Sequence, residues 1–434
     1  MPDAGPCSEA TANWLGHPRI AFWQRGTVQL GGAILFAILP PFAIAAAIEP
    51  LLLRLPLFAV SLASSLLAIA FGRRLFRGLV GFPGIRASYY VLPVFSSTFA
   101  AAVAILFMTR LNYSRPLLLA SFVLALIWFY VVYFKLQRGP RMAIAVVPIG
   151  ATDSLFAIDS IAWRPLSAPA LPPGCITVAA DFDHDHAAEW ERFLAECALG
   201  GVTVVHYRQL RESLTGRVQV DRLSENVFGS LLPDPTYLGI KSVADRLIAL
   251  ALLLPLLPVL ILCALAVRLD SPGPAFFRQL RIGYRGRPFR VWKFRTMIHR
   301  SPCAAGRMRA DAMTLTDDPR ITRLGRHLRR LRIDELPQIL NIALGQMSWI
   351  GPRPEAAVLA EWYEAEIPFY RYRHIVRPGL SGWAQVTQGH VTSVQDVLAK
   401  LSYDFFYISR FNFWIDMLIV VRTIKTMLTG HGSR

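Results

Sequence analysis

The sequence predicts a membrane α-helical N-terminal bundle, then a small α/β domain, then an α+β domain anchored by a re-entrant helical hairpin. Three observations carry this. Four stretches contain no charged residue, 26–48, 55–72, 87–109 and 116–134. Each is close to the roughly 20 residues that span a bilayer as a helix. Between 142 and 230, strand-like and helix-like periods alternate. A fifth apolar run, 247–267, is followed by the most basic stretch of the chain.

The four spans come first. Pro40 and Pro41 kink the first one but need not stop it crossing. No small-residue cleavage site follows it, so it reads as a true span rather than a signal peptide. Arg19 and Arg25 precede span one, and only Arg54 lies in the next loop. Arg73, Arg74, Arg77 and Arg86 follow span two, Arg110 and Arg115 follow span three, and Lys135, Arg138 and Arg141 follow span four. This alternation predicts that residues 1–25 and the chain after 134 lie on the cytoplasmic side. Of 434 residues, 54% are hydrophobic. The five cysteines, Cys7, Cys175, Cys197, Cys263 and Cys303, show no CxxC or metal spacing and read as reduced or buried thiols.

In residues 142–230, "MAIAVVPIG", "CITVAAD" and "VTVVHY" read as buried strands, and "AAEWERFLAECAL" as an amphipathic helix. The order suggests a small parallel sheet of Rossmann-like kind. No GxGxxG is present, so no nucleotide is assigned to it, and a scaffold or oligomer contact is expected instead. "LLPDPTYLGIKS", 231–242, reads as a linker.

The run 247–267, "LIALALLLPLLPVLILCALAV", is long enough to cross. Crossing would place the densest arginine cluster outside the cytoplasm, against the positive-inside bias. Pro255 and Pro258 each remove a helix hydrogen bond. Both facts predict a segment that enters the bilayer, bends at the prolines and returns.

From Arg278 to Arg332 there are sixteen Lys or Arg and three Asp, a local excess that supplies most of the formal charge of +17. "PFRVWKFR" alternates as a half-exposed strand, so basic side chains are expected on one face. Arginine grips phosphate oxygens in a fork and lysine acts as a point charge, which suits a pyrophosphate; an anionic lipid surface is the other reading. The stretch ends in "RIDELPQIL". With Pro337 in a first turn, Asp334 is expected as an N-cap and Glu335 just inside the helix. The basic surroundings give the pair a second reading. Cations hold carboxylates ionised, and an ionised carboxylate can attack phosphorus once the phosphate charge is neutralised by Arg, Lys or Mg²⁺.

The C-terminal part, about 241–430, resembles the bacterial sugar transferases, the polyprenyl-phosphate hexose-1-phosphate transferases. The matching stretches are "KSVADR", "LDSPGPAFFRQLRIG", "WKFRTM", "DPRITRLGRHLRRLRIDELPQILNIALGQMSWIGPRPE", "RPGLSGWAQV" and "YDFFYI". Four N-terminal spans and a soluble insert look like the long-form members, which begin exopolysaccharide, capsule or O-antigen assembly. The resemblance implies a catalytic domain over 241–434. It implies transfer of a hexose-1-phosphate from a UDP-sugar to undecaprenyl phosphate with release of UMP, at the cytoplasmic face of a bacterial inner membrane.

By the same resemblance, Asp334 is the nucleophile that forms a phosphosugar intermediate, and Glu335 is its partner, helping to hold Mg²⁺ or to position the attack. Lys293, Arg295, Arg329 and Arg353 match phosphate-binding positions. Asp404 matches a recurring aspartate, with a metal-assisting and a structural role both open. Pro258 matches the re-entrant break. The partners implied are the UDP-sugar, undecaprenyl phosphate and membrane lipid, with no nucleic acid; a homodimer is compatible. The chain departs from the pattern at Leu257 and Arg332, each in place of Ser, at Gln346 in place of Asp, and at "TQGH", ending in His390, in place of "NGR". The alternatives kept open are an inactive membrane scaffold of a polysaccharide assembly complex and a membrane-anchored polyanion-binding protein.

Overall fold

The computed structural model describes residues 23, 25–49, 56–80, 88–137, 143–159, 161–173, 175, 177–219, 232–298, 320–367, 369–388 and 394–429. His390, Cys7 and Cys303 lie outside them. The chain forms two compact units, Met1–Gly216 and Arg217–Arg434.

The first unit begins with four apolar helices, α1 (Gly26–Ile48), α2 (Pro56–Val80), α3 (Ser88–Thr109) and α4 (Arg115–Gln137). Each is long and apolar enough to cross a membrane. Helix α1 runs through its two prolines by widening into a π-helical turn at Ile34–Ile38, just before Pro40. Small residues let the helices approach. A Cβ on Gly32 would collide with the Trp128 ring, whose Nε1 donates to the Gln29 carbonyl at 3.0 Å. Phe95 and Phe129 stack with ring centres 4.3 Å apart. Phe107, Met108 and Leu67 stay exposed, as lipid-facing side chains do.

The rest of this unit is a four-stranded parallel sheet in the order β2-β1-β3-β4. Its strands are β1 (Ala143–Val146), β2 (Ala162–Pro165), β3 (Thr177–Ala180) and β4 (Thr203–His206). Helix α5 (Ala188–Leu199) buries Phe193, Leu194 and Cys197 against one face; α6 (Tyr207–Thr215) places Tyr207 against the other. Strand β2 was not expected. It is an edge strand, "AWRP", with no apolar run to reveal it. Past the carboxyl ends of β3 and β4, Asp181, Asp183 and His206 converge. His206 Nδ1 accepts the Arg208 N–H at 3.0 Å, so the neutral ring carries its proton on Nε2. That proton faces the two carboxylates, which makes His206 a donor there rather than a cation ligand.

The second unit opens on α7 (Pro235–Asp270), capped by Asp234, which accepts the Thr236 N–H at 2.9 Å. One expectation is corrected here. Most of the expected linker 231–242 is helical, because Pro235 occupies a first-turn position where its missing N–H costs nothing. The expected re-entrant segment 247–267 lies within a helical element of 36 residues that carries Pro255 and Pro258 inside it. Two lost donors among so many leave the ladder intact on both sides of the prolines. Both halves of α7 pack on one core. Ala249, Leu260 and Val267 share a cluster with Phe289, Val291, Leu328, Ile339 and Ile342.

Strands β5 (Phe276–Ile282) and β6 (Pro288–Phe294) form an antiparallel hairpin. Helix α8 (Arg323–Arg330) is capped by Thr322 and leads through a 3₁₀ turn, Ile333–Gln338, into α9 (Ile339–Ala343). Strands β7 (Ser348–Ile350) and β8 (Gly379–Ser381) pair in parallel. Helix α10 (Ala357–Glu366) and a 3₁₀ turn, Tyr370–Ile375, lie between them. Helices α11 (Trp383–Thr387), α12 (Val394–Ser409) and α13 (Phe413–Thr429) complete the unit.

The polar foot of α7 is fastened by charge. Lys241 pairs with Asp416 at 2.7 Å, Tyr237 donates to the same carboxylate at 2.6 Å, and Ser348 donates to Asp245. Asn341, fully buried on α9, ties the hairpin to that helix. Its Oδ1 accepts the Trp292 N–H at 3.0 Å, and its Nδ2 donates to the Arg290 carbonyl at 2.8 Å and to Gln346 at 2.7 Å. The departure at Gln346 thus keeps an acceptor for Asn341. Asn341→Ala strands the half-buried Trp292 N–H and removes a donor from Arg290, at up to about 1–3 kcal/mol for each group left unpaired. Its thermal midpoint is expected to fall by several degrees; an unchanged midpoint would show that the hairpin is held otherwise.

Candidate active site

The acidic pair is placed by strain. Arg332 adopts a left-handed backbone, φ 58°, and turns the chain from α8 into the 3₁₀ turn. Asp334 is therefore not the expected N-cap. It and Glu335 both lie inside that turn, because Pro337 offers no N–H and the α-helix starts only at Ile339. Both carboxylates are buried, at 9% and 7% exposure. Buried charges require partners.

Glu335 has them. Its Oε1 accepts from Lys293 Nζ at 2.8 Å and from Arg353 Nη2 at 2.7 Å, while Arg332 lies 3.6 Å from Oε2. Burial alone would raise its pKa, but Arg353 and Lys293 overcome that and hold Glu335 well below the usual carboxylate range. Lys293 is reached from β6, though not as expected. It follows Phe289 and Val291 on the inward face, whereas Arg290 faces out. The strand therefore separates these two cations. Burial draws Lys293 down to about 8, against the pull of Glu335.

Asp334 is different. Among the described residues, no side chain donates a hydrogen bond to its carboxylate. Burial raises its pKa and the neighbouring Glu335 charge adds to this, outweighing the attraction of Lys293, Arg329 and Arg353. Arg329 is oriented by its Nε donating to Thr296 Oγ1 at 2.8 Å. The outcome is one committed carboxylate and one open carboxylate in a field of three cations.

Lys293, Arg329, Asp334, Glu335 and Arg353 thus come together; two expected residues, Arg295 and Asp404, do not. Arg295 is buried and donates to the Val267 carbonyl and to Ser271 at the carboxyl end of α7, so it caps a helix. Asp404 is buried against Arg373 at 2.7 Å. The Arg373 Nη2 also donates to the Arg353 carbonyl at 3.0 Å, so Asp404 acts on the site through a backbone. Pro258 lies within α7, in its apolar middle. Sequence reasoning missed Arg281, Arg373 and Glu355. Arg281 donates to the Pro354 carbonyl, and burial beside Arg353 lowers it to about 10. Glu355 pairs with Lys400 and lies 4.0 Å from Arg373. Glu355 ends "GPRPE" and Arg373 sits in "RYRHIVRPG", so their nearness to matching motifs was the available signal.

The expected pairing of Glu335 with Asp404 as metal ligands does not fit, since each carboxylate is taken by a different cation. The open Asp334 carboxylate does fit a hard cation that prefers oxygen and needs only one or two protein carboxylates.

The two acids predict opposite stability effects. Glu335 is depressed, so its stabilisation is present above its ordinary pKa and is lost as pH falls through the folded value. Asp334 is raised, so it costs stability progressively as pH rises from its ordinary pKa to the folded value, and in full above that. At neutral pH, Glu335→Gln is expected to lower the thermal midpoint and Asp334→Asn to raise it, with both differences closing on acidification. Equal losses from the two substitutions would contradict the assignment.

The pattern of the family described as bacterial sugar transferase matches residues 236–430. A UDP-N-acetylgalactosamine-undecaprenyl-phosphate N-acetylgalactosaminephosphotransferase of Aeromonas hydrophila is 44% identical over 357 residues, 81% of this chain and 83% of that protein. A UDP-glucose:undecaprenyl-phosphate glucose-1-phosphate transferase of Caulobacter vibrioides is 45% identical over 197 residues, 44% of this chain and 71% of its own. One from Escherichia coli K12 is 40% identical over 187 residues, 43% of this chain and 39% of its own. The Aeromonas alignment is too long to be confined to the matched segment, so the likeness extends into the N-terminal unit. Since Lys293, Asp334, Glu335 and Arg353 all fall within 236–430 and the likeness runs along most of its length, the chain belongs to the bacterial sugar transferase family.

Proposed function

We propose that the protein transfers a hexose-1-phosphate from a UDP-sugar to undecaprenyl phosphate, releasing UMP, as the first committed step of a surface polysaccharide. The observation that carries this is the asymmetry of the acidic pair. Glu335 is held by Lys293 and Arg353, whereas Asp334 is buried, open and surrounded by cations. Such a carboxylate is suited to attack phosphorus and poorly suited to structural pairing. The names and similarity of the relatives support the substrate classes.

In this reading an Asp334 oxygen bonds to the phosphorus that carries the sugar, and the bond from that phosphorus to UMP breaks. An oxygen of the lipid phosphate then attacks the same phosphorus and displaces Asp334. Lys293, Arg329 and Arg353 neutralise phosphate charge in both steps, and burial strengthens each of those attractions. Arg373, held by Asp404, fixes the Arg353 backbone. Mg²⁺, when bound, would take an Asp334 oxygen together with substrate phosphate oxygens and supply further neutralisation.

The lipid phosphate lies at a membrane surface, so the site must lie there too. A re-entrant path for α7 with both ends on the cytoplasmic face of the inner membrane satisfies this. It is supported by the positive-inside bias and by the packing of both halves of α7 on one core. The test is UMP release by membranes supplied with undecaprenyl phosphate, Mg²⁺ and a panel that includes UDP-N-acetylgalactosamine and UDP-glucose. Release that requires the lipid and falls at least about a thousandfold in Asp334→Asn is expected, since nucleophile loss removes the covalent route. Folded protein that releases no UMP from any donor would return weight to a scaffold role.

A further inference from the structure

Three arginines of the second unit converge outside the hydrogen bonds and ion pairs of the acidic pair. Arg246 lies on α7, Arg285 in the turn between β5 and β6, and Arg377 just before β8. A Cβ on Gly345 would collide with the Arg246 guanidinium, and Arg377 Nε donates to the Gly345 carbonyl at 3.1 Å. Arg377 and Arg285 both lie over the Tyr284 ring, 5.0 and 5.1 Å from its centre. Among the described residues, no carboxylate forms an ion pair with any of the three. Asp245, the acid nearest in sequence, is engaged by Ser348 and Lys241. None of the three makes a hydrogen bond or ion pair with Lys293, Asp334, Glu335 or Arg353.

Like charges gathered without a counterion repel one another. Burial, with the charges of Arg246 and Arg285, holds Arg377 below its ordinary pKa. Arg285 also adopts a left-handed backbone, φ 56°, which an arginine rarely takes. The surroundings indicate where the missing anion comes from. Arg246 immediately precedes the apolar run of α7. Leu247 and Ile248 beside it, and Leu344 next to Gly345, are exposed at 62%, 49% and 66%. A cationic cluster edged by exposed apolar side chains matches a membrane interface, where phosphates lie just above hydrocarbon.

We propose that Arg246, Arg285 and Arg377 form a binding site for the headgroup phosphate of an anionic membrane phospholipid, separate from the transfer site. The ligand chemistry is a phosphodiester presented at a bilayer surface. Its binding would fix the depth of the second unit at the foot of α7.

The full chain is reconstituted in nanodiscs of phosphatidylcholine containing a minor fraction of phosphatidylglycerol, and the lipids it retains on release are weighed by native mass spectrometry. Phosphatidylglycerol is expected to be retained in excess of its share. Arg246→Gln and Arg285→Gln are each expected to reduce that excess about fivefold. Arg285 is exposed and its guanidinium lies over the Tyr284 ring, so this variant tests the site without disturbing the core. Unchanged retention in both variants would overturn the proposal. So would displacement of the lipid by inorganic phosphate, which would make this a site for free phosphate. A raised KM for undecaprenyl phosphate in neutral detergent with Arg285→Gln would also overturn it, because the cluster would then serve the lipid substrate.

Discussion

The pairing of Glu335 with Lys293 and Arg353 is the constraint on which the site depends. It joins three elements at one point, the inward face of β6, the 3₁₀ turn after α8 and the segment following β7. Removing one partner of a buried charged group costs far more than the pair contributes over an apolar alternative. The triad therefore specifies an arrangement more than it adds stability. What it specifies is the position of Asp334, which is adjacent in sequence, shares the cations and has no hydrogen-bond donor of its own among the described residues.

That arrangement is buttressed at one remove. Asn341 fixes β6 to α9, so Lys293 cannot move independently of the turn that carries Glu335. Arg373, held by Asp404, fixes the backbone of Arg353. Helix α7 supplies the floor, since Ala249, Leu260 and Val267 pack beneath the hairpin and α9. A helix that is apolar almost all round is thereby built into the same core as the acidic pair, and an anchoring function and a chemical function share one set of packing contacts. The relation suits a reaction between a soluble diphosphate and a lipid phosphate.

Much of this was legible in the sequence, and the failures have physical causes. Charge-free length identified α1 to α4, since few other patterns leave about twenty residues in a row without a charge. Strands β1, β3 and β4 were visible because a sheet covered on both faces selects continuous apolar runs; the edge strand β2, "AWRP", carries none. Motif resemblance pointed to Asp334, Glu335, Lys293 and Arg353, which the fold brings together. It placed Arg295 among the phosphate-binding residues and left two roles open for Asp404, because a motif records which residue types accompany the site and not whether they face it. Arg295 turns to the end of α7, and Asp404 turns to Arg373. Local rules failed at Asp334, where an N-cap was expected. The strained Arg332 and the proline three residues after Asp334 tighten the chain into a 3₁₀ turn, and tertiary pairing of Glu335 holds it there.

The most direct test of this division of labour is mass spectrometry of the intact protein after brief incubation with a UDP-sugar that it accepts, with no undecaprenyl phosphate present. A mass increase equal to one hexose phosphate, mapped by proteolysis to Asp334, is expected; it should persist at reduced yield in Glu335→Gln and be absent from Asp334→Asn. An adduct mapped to Glu335, or lipid-dependent turnover with no adduct at any time, would contradict the assignment of Asp334 as the attacking group.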